Sequence, residues 1–200
     1  MQNIEYEAKF ININKNDVRE KLKLLGAQLI KPEFLQKRIA LNLPKGYEIK
    51  GAWVRVRDEQ DKITMSLKIV DGESISDQKE ICLKVDNFEE AEKLLVLLGC
   101  TKKSYHENKR ELWKFNDVEV MIDEWPFVDP FVEIEADSEI KVKEISEKLG
   151  FDYSSAIFGA TDIICQKKYN ISLDVINKVP EIRFDMENPY LNVDKNNKNG

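Results

Sequence analysis

Residues 4–10 read Ile4-Glu5-Tyr6-Glu7-Ala8-Lys9-Phe10, with charged and apolar side chains in strict alternation. In an extended strand, residues two apart share a face, so Glu5, Glu7 and Lys9 project one way and Ile4, Tyr6, Ala8 and Phe10 the other. The apolar side needs a core to pack on. The charged side faces either water or a polar cavity, and this stretch alone leaves both open.

The same grammar recurs downstream. Val54 and Val56 oppose Arg55 and Arg57; Met65, Leu67 and Ile69 oppose Ser66 and Lys68; Ile81, Leu83 and Val85 oppose Glu80, Cys82 and Lys84. Val118, Val120 and Ile122 oppose Glu119 and Asp123, and Val132 and Ile134 oppose Glu133 and Glu135. A period of two predicts strands over residues 3–11, 34–43, 52–58, 62–70, 78–85, 104–115, 117–124 and 131–136. Asp58 to Asp61 and Asn116-Asp117 read as hairpin turns.

Between the strands, three stretches share a cap residue, an amphipathic helix and a Leu-Gly stop. Asn14 or Asn16 caps a helix with Val18, Leu22 and Leu25 on one stripe. Asp86 or Asn87 starts a second with Ala91, Leu94, Leu95 and Leu98, and Asp137 or Ser138 a third with Ile140, Ile145 and Leu149. A short fourth helix is expected near Thr161 to Tyr169. Helices of this kind can cover the oily side of a curved sheet, which turns the charged faces inward. The expected fold is therefore α+β, an antiparallel eight-stranded tunnel-like β-barrel with a charged interior, flanked by amphipathic helices. It occupies residues 1–170. From Ile171 the periodicity is lost, Pro180 and Pro189 intervene, and the chain ends Lys195-Asn196-Asn197-Lys198-Asn199-Gly200. Residues 171–200 are read as a C-terminal extension, partly disordered.

A chain of 200 residues, 42% hydrophobic, can bury a substantial core. Its net charge of −6 gives no basic excess to drive counterion release from a nucleic acid, so no nucleic-acid partner is expected. Cys82, Cys100 and Cys165 have neither a metal-ligand spacing nor a redox pairing, which fits reduced thiols in the cytoplasm. No segment reads as a signal peptide or membrane span. His106 is the only histidine, so any metal must be held by oxygen. It reads as an ordinary surface or strand residue, Trp113 and Trp125 as packing residues, and Tyr169 as part of a helix packing face.

Carboxylates gathered in one cavity repel: at an effective dielectric near 20, two unit charges about 4 Å apart cost roughly 4 kcal/mol. Something positive must sit among Glu5, Glu7, Glu80, Asp123, Glu133 and Glu135. Hard cations such as Mg²⁺ or Mn²⁺ bind such oxygens and keep positions open for substrate phosphates. Arg55 and Arg57 supply forked donors and Lys9 and Lys68 compact ones, a set suited to an extended polyphosphate. An acidic metal site beside a basic phosphate cradle is a layout for phosphoryl or nucleotidyl transfer.

In the order and spacing of these residues the chain resembles the CYTH superfamily, the triphosphate tunnel metalloenzymes, over about residues 1–169. The Glu-x-Glu-x-Lys signature matches Glu5, Glu7 and Lys9; the Arg-x-Arg strand matches Arg55 and Arg57; then follow Lys68, Glu80 and Arg110. An aspartate followed by Phe-x-Glu-x-Glu matches Asp123, Phe131, Glu133 and Glu135. The resemblance implies an eight-stranded tunnel whose metal ligands are Glu5, Glu7, Glu80, Asp123, Glu133 and Glu135. It implies substrate contacts by Lys9, Arg55, Arg57, Lys68 and Arg110, and catalytic roles for Lys9, Glu5 and Glu7. Two features depart from the family. Where Lys-x-Arg is common in the late basic strand, Asn108 precedes Arg110, so Lys84 or Lys114 is expected to supply the missing contact. Where the cyclase-like branch has Gly-Leu-Gly after the aspartate, this chain has a Trp125-Pro126 loop.

The expected function is that of a class IV adenylyl cyclase-like enzyme, forming cyclic AMP and pyrophosphate from ATP with Mg²⁺ or Mn²⁺. The alternatives are a triphosphatase acting on thiamine triphosphate or inorganic tripolyphosphate, and a nucleotide- or polyphosphate-binding module without turnover. No membrane partner is expected, and pairing into a homodimer through an exposed strand or helix surface is open.

Overall fold

The computed structural model describes residues 3–191 and 193. The N-terminal strand is interrupted at Glu5 into β1 (Asn3–Ile4) and β2 (Tyr6–Phe10). There follow α1 (Lys15–Leu24), β3 (Gln28–Asn42), β4 (Ala52–Asp58), β5 (Ile63–Val70), β6 (Gln78–Val85), α2 (Phe88–Leu97), β7 (Thr101–Phe115), β8 (Val118–Glu124) and β9 (Phe131–Ala136). The chain continues with α3 (Glu139–Lys148), α4 (Asp162–Tyr169), α5 (Leu173–Ile176) and β10 (Glu181–Ile182).

The sheet runs β6-β5-β4-β3-β7-β8-β9-β2, antiparallel throughout. Its two edges meet on the N-terminal strand: β2 pairs with β9 and β1 pairs with β6, with Asn3 opposite Glu80. Counting β1 and β2 as one, eight antiparallel strands curl into a tunnel. The closure onto β6 spans two register pairs, and residues 81–85 of β6 have no strand partner on that side among the described residues.

The helices cover the outward faces of the sheet, though not with every residue expected, since Leu94, Leu98 and Ile140 are exposed. Val18 and Leu22 of α1 and Val142, Ile145 and Leu149 of α3 join Ala8, Val120, Ile122, Val132 and Ile134 in one cluster. Ala91 and Leu95 of α2 cover Ile39, Leu41, Val54 and Val56 in another. At roughly 1.5–3 kcal/mol per buried aliphatic side chain, these outer contacts hold the fold and free the inward faces for charge. Asn14 and Asn87 cap α1 and α2 through side-chain acceptors, whereas Ser138 occupies the cap of α3 without such a bond.

Two elements differ from expectation. Strand β3 begins at Gln28, six residues early, and passes through Pro32. The register with β7 shifts on either side of Lys31, and a bulge accommodates a residue that has no N–H to give. Residues 171–191 are not formless: Ile176, Ile182 and Tyr190 are buried in a third cluster with Val128, Phe131 and Ile164, and β10 runs parallel to β7 beside Tyr105 and His106. The expected disorder of residues 195–200 falls outside the described residues. No described helix is long and apolar enough to cross a membrane.

Candidate active site

A cavity of about 530 Å³ runs into the tunnel. One wall is cationic. Register places Arg38 of β3 opposite Arg57 of β4, with Arg55 two residues along the same face. Arg55 donates to Glu80 at 3.0 Å and Arg57 pairs with Glu59 at 2.7 Å. Arg38 donates to Gln36 at 3.0 Å and to Asn108. These bonds leave donors over. The Nε atoms of Arg38, Arg55 and Arg57 and the amide nitrogens of Gln36 and Gln78 are buried with no partner among the described residues. Each such group costs about 1–3 kcal/mol, so the wall is built for an acceptor-rich ligand. Burial, and then the charges of neighbouring guanidiniums, push Arg38 and Arg57 below the usual arginine range.

The facing groups are acidic. Pairing of β2 with β9 sets Glu7 opposite Glu135 and Lys9 opposite Glu133. Lys9 is almost wholly buried, 1% exposed. Its ammonium pairs with Glu7, lies 3.5 Å from Glu133 and donates to the Gly159 carbonyl at 2.7 Å. Burial lowers the Lys9 pKa while Glu133 opposes the shift. One carboxylate oxygen each from Glu7, Glu133 and Glu135 lie within 4.8 Å of one another. Burial and the charge of Glu133 raise Glu135. Against the upward pull of burial, Arg110 and Lys9 hold Glu133 well below the carboxylate range.

A second acidic pair lies beside the cationic wall. Lys68 is 2.9 Å from Glu5 and 3.3 Å from Glu80. Burial raises Glu5 to about 7 and Glu80 is its hydrogen-bond partner. Glu80, also penalised by burial, is nonetheless held low by Arg55 and Lys68, so the proton of this pair rests on Glu5. Three oxygen donors at close range, with Glu135 raised by burial and by its neighbour's charge, fit a hard divalent cation such as Mg²⁺ or Mn²⁺.

Of the expected site residues, Glu5, Glu7, Lys9, Arg55, Arg57, Lys68, Glu80, Arg110, Glu133 and Glu135 line one cavity, as does Glu119. Asp123 does not reach it. Fully buried, it accepts from Arg110 at 2.7 and 2.5 Å and from Asn108 at 3.4 Å, and so stands behind Arg110, which also donates to Glu133 at 2.9 Å. Lys84 and Lys114 are exposed and outside the lining. The place beside Asn108 is taken instead by Arg38, which the sequence reading did not single out. Glu59 was missed too, since it lies in a turn where alternation carries no information. His106 is a strand residue and Trp125 packs against the third cluster, as expected, and both also line the cavity, their rings 5.8 Å apart and edge-on. Trp113 is buried and donates to Glu111 at 2.6 Å, and Tyr169 packs in the third cluster, as expected.

The chain matches the CYTH domain over residues 3–163. It belongs to the CYTH family. Among its relatives is the Methanocaldococcus jannaschii protein named "Putative adenylate cyclase MJ0240", 28% identical over 146 residues that cover 72% of this chain and 81% of that one. The fold recurs in a solved Vibrio parahaemolyticus structure described as a putative adenylate cyclase, with TM-score 0.70 and 11% identity over 83% of this chain and 99% of that one. It recurs again in the PH1012 protein of Pyrococcus horikoshii, TM-score 0.67, 20% identical, covering 80% and 99% of the two chains.

Proposed function

We propose that this CYTH protein is a divalent-metal-dependent enzyme acting on a triphosphate, as an adenylyl cyclase that forms cyclic AMP and pyrophosphate from ATP. The observation that carries the triphosphate reading is the pairing, in one cavity, of buried guanidinium and amide donors without partners and a carboxylate trio. A plain anion binder gains nothing from carboxylates turned toward its ligand, which speaks against a binding module without turnover. In this reading Arg55, Arg57, Lys68 and Arg110, joined by Arg38, hold phosphate oxygens, and Asp123 positions Arg110. Glu7, Glu133 and Glu135 hold the cation, with Glu5 and Glu80 beside them. Bound there, the cation would offset charge on the polyphosphate and acidify an attacking hydroxyl. Lys9, whose ammonium engages Glu7 and Glu133, would act as a general base only after giving up a proton, a loss that its burial-lowered pKa eases.

The name of the Methanocaldococcus relative agrees with the cyclase reading. A second reading, a triphosphatase acting on thiamine triphosphate or tripolyphosphate, is favoured by the Trp125-Pro126 loop. Trp125 lies across Arg38, 4.5 Å from ring centre to guanidinium, and narrows the cavity where the cyclase-like branch has glycines. A product-resolved assay with ATP, thiamine triphosphate and tripolyphosphate, each with Mg²⁺ or Mn²⁺, tests both. Cyclic AMP with pyrophosphate supports the first, orthophosphate the second. No turnover of any of them, with binding that ignores metal, overturns the enzyme reading.

A further inference from the structure

The hairpin turn between β4 and β5 places an acid on the cationic wall. Directly past β4, Glu59 is 7% exposed and lines the cavity beside Lys31 and Phe34, where exposed Asp61 and Lys62 mark the rim. Its backbone is pinned from both sides. The Glu59 N–H donates to the Lys62 carbonyl at 2.9 Å, the Asp61 N–H donates to the Glu59 carbonyl at 3.0 Å, and Lys31 of β3 reaches across to that same carbonyl and to the Asp61 carboxylate. The side chain is less firmly held. One carboxylate oxygen lies 2.7 Å from the Arg57 guanidinium and the other 3.2 Å from the ammonium of Lys62, whose side chain is 43% exposed.

The pair at Arg57 differs from the pair at Arg110 in the same tunnel. Arg110 meets Asp123 through Nε and a terminal nitrogen, at 2.7 and 2.5 Å, the forked geometry that holds a guanidinium in place. Glu59 touches Arg57 without that fork: its nearer oxygen and the Arg57 Nε are both buried with no hydrogen-bond partner among the described residues. A buried guanidinium stripped of its counter-charge is costly, so the contact offsets the charge of Arg57 while leaving its fork unfilled. Phosphate oxygens can fill that fork, satisfying Nε and a terminal nitrogen together. We infer that Glu59 is an internal competitor for the phosphate seat on Arg57: the polyphosphate takes the guanidinium on binding, and the carboxylate turns to Lys62 at the rim. As product leaves, Glu59 returns, so Arg57 passes from one anion to another and is never left bare. This rests on the triphosphate reading above and adds a residue that tunes release, outside the set that holds metal or phosphate.

The test is calorimetric titration of the full chain with tripolyphosphate in EDTA. Glu59→Gln keeps the size of the side chain but removes its charge, and is expected to tighten binding about tenfold. Loss of a negative charge acting only through space would tighten it too, so the deciding comparison is made on Arg57→Ala. There the seat is gone, and adding Glu59→Gln should change affinity by less than about twofold. An equal gain in both backgrounds overturns the competitor. Unchanged or weaker binding by Glu59→Gln alone overturns it as well, weaker binding being the mark of a side chain that only positions Arg57. Thermal melts check that the variants fold. A crystal structure of the wild type with tripolyphosphate decides without any variant: Arg57 on a phosphate oxygen and Glu59 turned to Lys62 are expected, and an Arg57–Glu59 contact kept in the complex overturns the inference while leaving a triphosphate site. Failure of the wild type to bind tripolyphosphate overturns the triphosphate reading itself.

Discussion

The wall built on β3 and β4 and the wall built on β2 and β9 are both buried and both charged, but they leave different things unsatisfied. On the first, Arg38, Arg55 and Arg57 each keep an Nε–H without an acceptor. On the second, Lys9 and Arg110 already engage Glu7, Glu133 and Asp123, and what is left is negative charge, seen in the raised Glu135. One wall lacks an anion and the other a cation. A triphosphate with its metal supplies both at once, which neither wall alone would demand.

The comparison breaks most sharply through the acidic wall. Glu7→Gln with Glu133→Gln removes two of the three close carboxylates. Metal-dependent turnover is expected to fall by at least about a thousandfold, beyond the roughly 10–100-fold typical of groups that only support a ligand. Metal-free binding of tripolyphosphate should hold or tighten, because two negative charges have left the cavity. A calorimetric titration in EDTA beside the turnover assay separates these outcomes. Loss of both would mean that the walls do not divide the work.

The cationic wall should behave in the opposite way. Arg57→Ala removes charge-assisted donors worth about 1.5–3 kcal/mol, so affinity for tripolyphosphate should drop about 10- to 100-fold with EDTA present, while Mn²⁺ binding by the carboxylates is kept. Arg38→Ala should follow it within a few-fold if Arg38 is a full member of the wall. Equal affinity in wild type and Arg38→Ala would reduce that side chain to a support for Trp125 and Asn108.

Why Arg38 had to await the fold shows what alternation can carry. In β2, β4, β8 and β9 charged and apolar residues alternate, so the period of two is plain, and Glu7, Lys9, Arg55, Arg57, Asp123, Glu133 and Glu135 were legible from it. In β3 the run Gln36-Lys37-Arg38 is polar at three successive positions, because exposed Lys37 points outward among inward neighbours, and the period disappears. Parity has a second limit. It tells which face a side chain takes but not how deep in the tunnel it sits, so Lys84 looked equivalent to Glu80. The part of the cavity lined by residues beyond 163 was less legible still: α5 spans 4 residues and β10 only 2, too short to show any period. Its walls are set by long-range packing of Ile176, Ile182 and Tyr190.

Acidity offers a smaller probe of the border between the walls, where Glu5 sits with Lys68 and Glu80. Its folded pKa is raised by burial to about 7 from an ordinary 4.5. Below the ordinary value, folded and unfolded chains both carry the proton. Between the two values the folded chain keeps a proton that the unfolded chain releases, so this group's contribution to stability declines as pH rises through that window. Glu5→Gln removes the penalty. The metal-free variant should gain on the order of 1 kcal/mol over wild type above about pH 7, and the gain should shrink toward the acid end. His106, held down at about 4 by burial, acts in the other sense, since it stays neutral in the fold while the unfolded chain charges. The two proteins must therefore be compared at each pH by denaturant melts rather than along one profile. A gain that is constant with pH would mean that Glu5 is ionised throughout.

The least effect is expected at Lys84, and it marks where the cationic wall stops. Lys84 shares a face of β6 with Glu80 and Cys82 and pairs in register with Thr64, so by parity it points as Lys68 does. Lys68, however, lies against Glu5 and Glu80 with its side chain 10% exposed, whereas Lys84 is exposed and beyond the last lining residue of its strand. A charge in water is screened within about 8–10 Å at physiological salt, and surface substitutions usually stay within about 0.5 kcal/mol. Lys84→Ala should therefore leave tripolyphosphate affinity within about twofold. Lys68→Ala should weaken it at least tenfold and destabilise the metal-free fold by about 1–3 kcal/mol, because half-buried Glu5 loses its partner while Glu80 keeps Arg55. If Lys84→Ala instead matched Lys68→Ala in calorimetry, the phosphate path would extend past Cys82 to the open end of β6, and the cationic wall would be one register pair longer than its lining now places it.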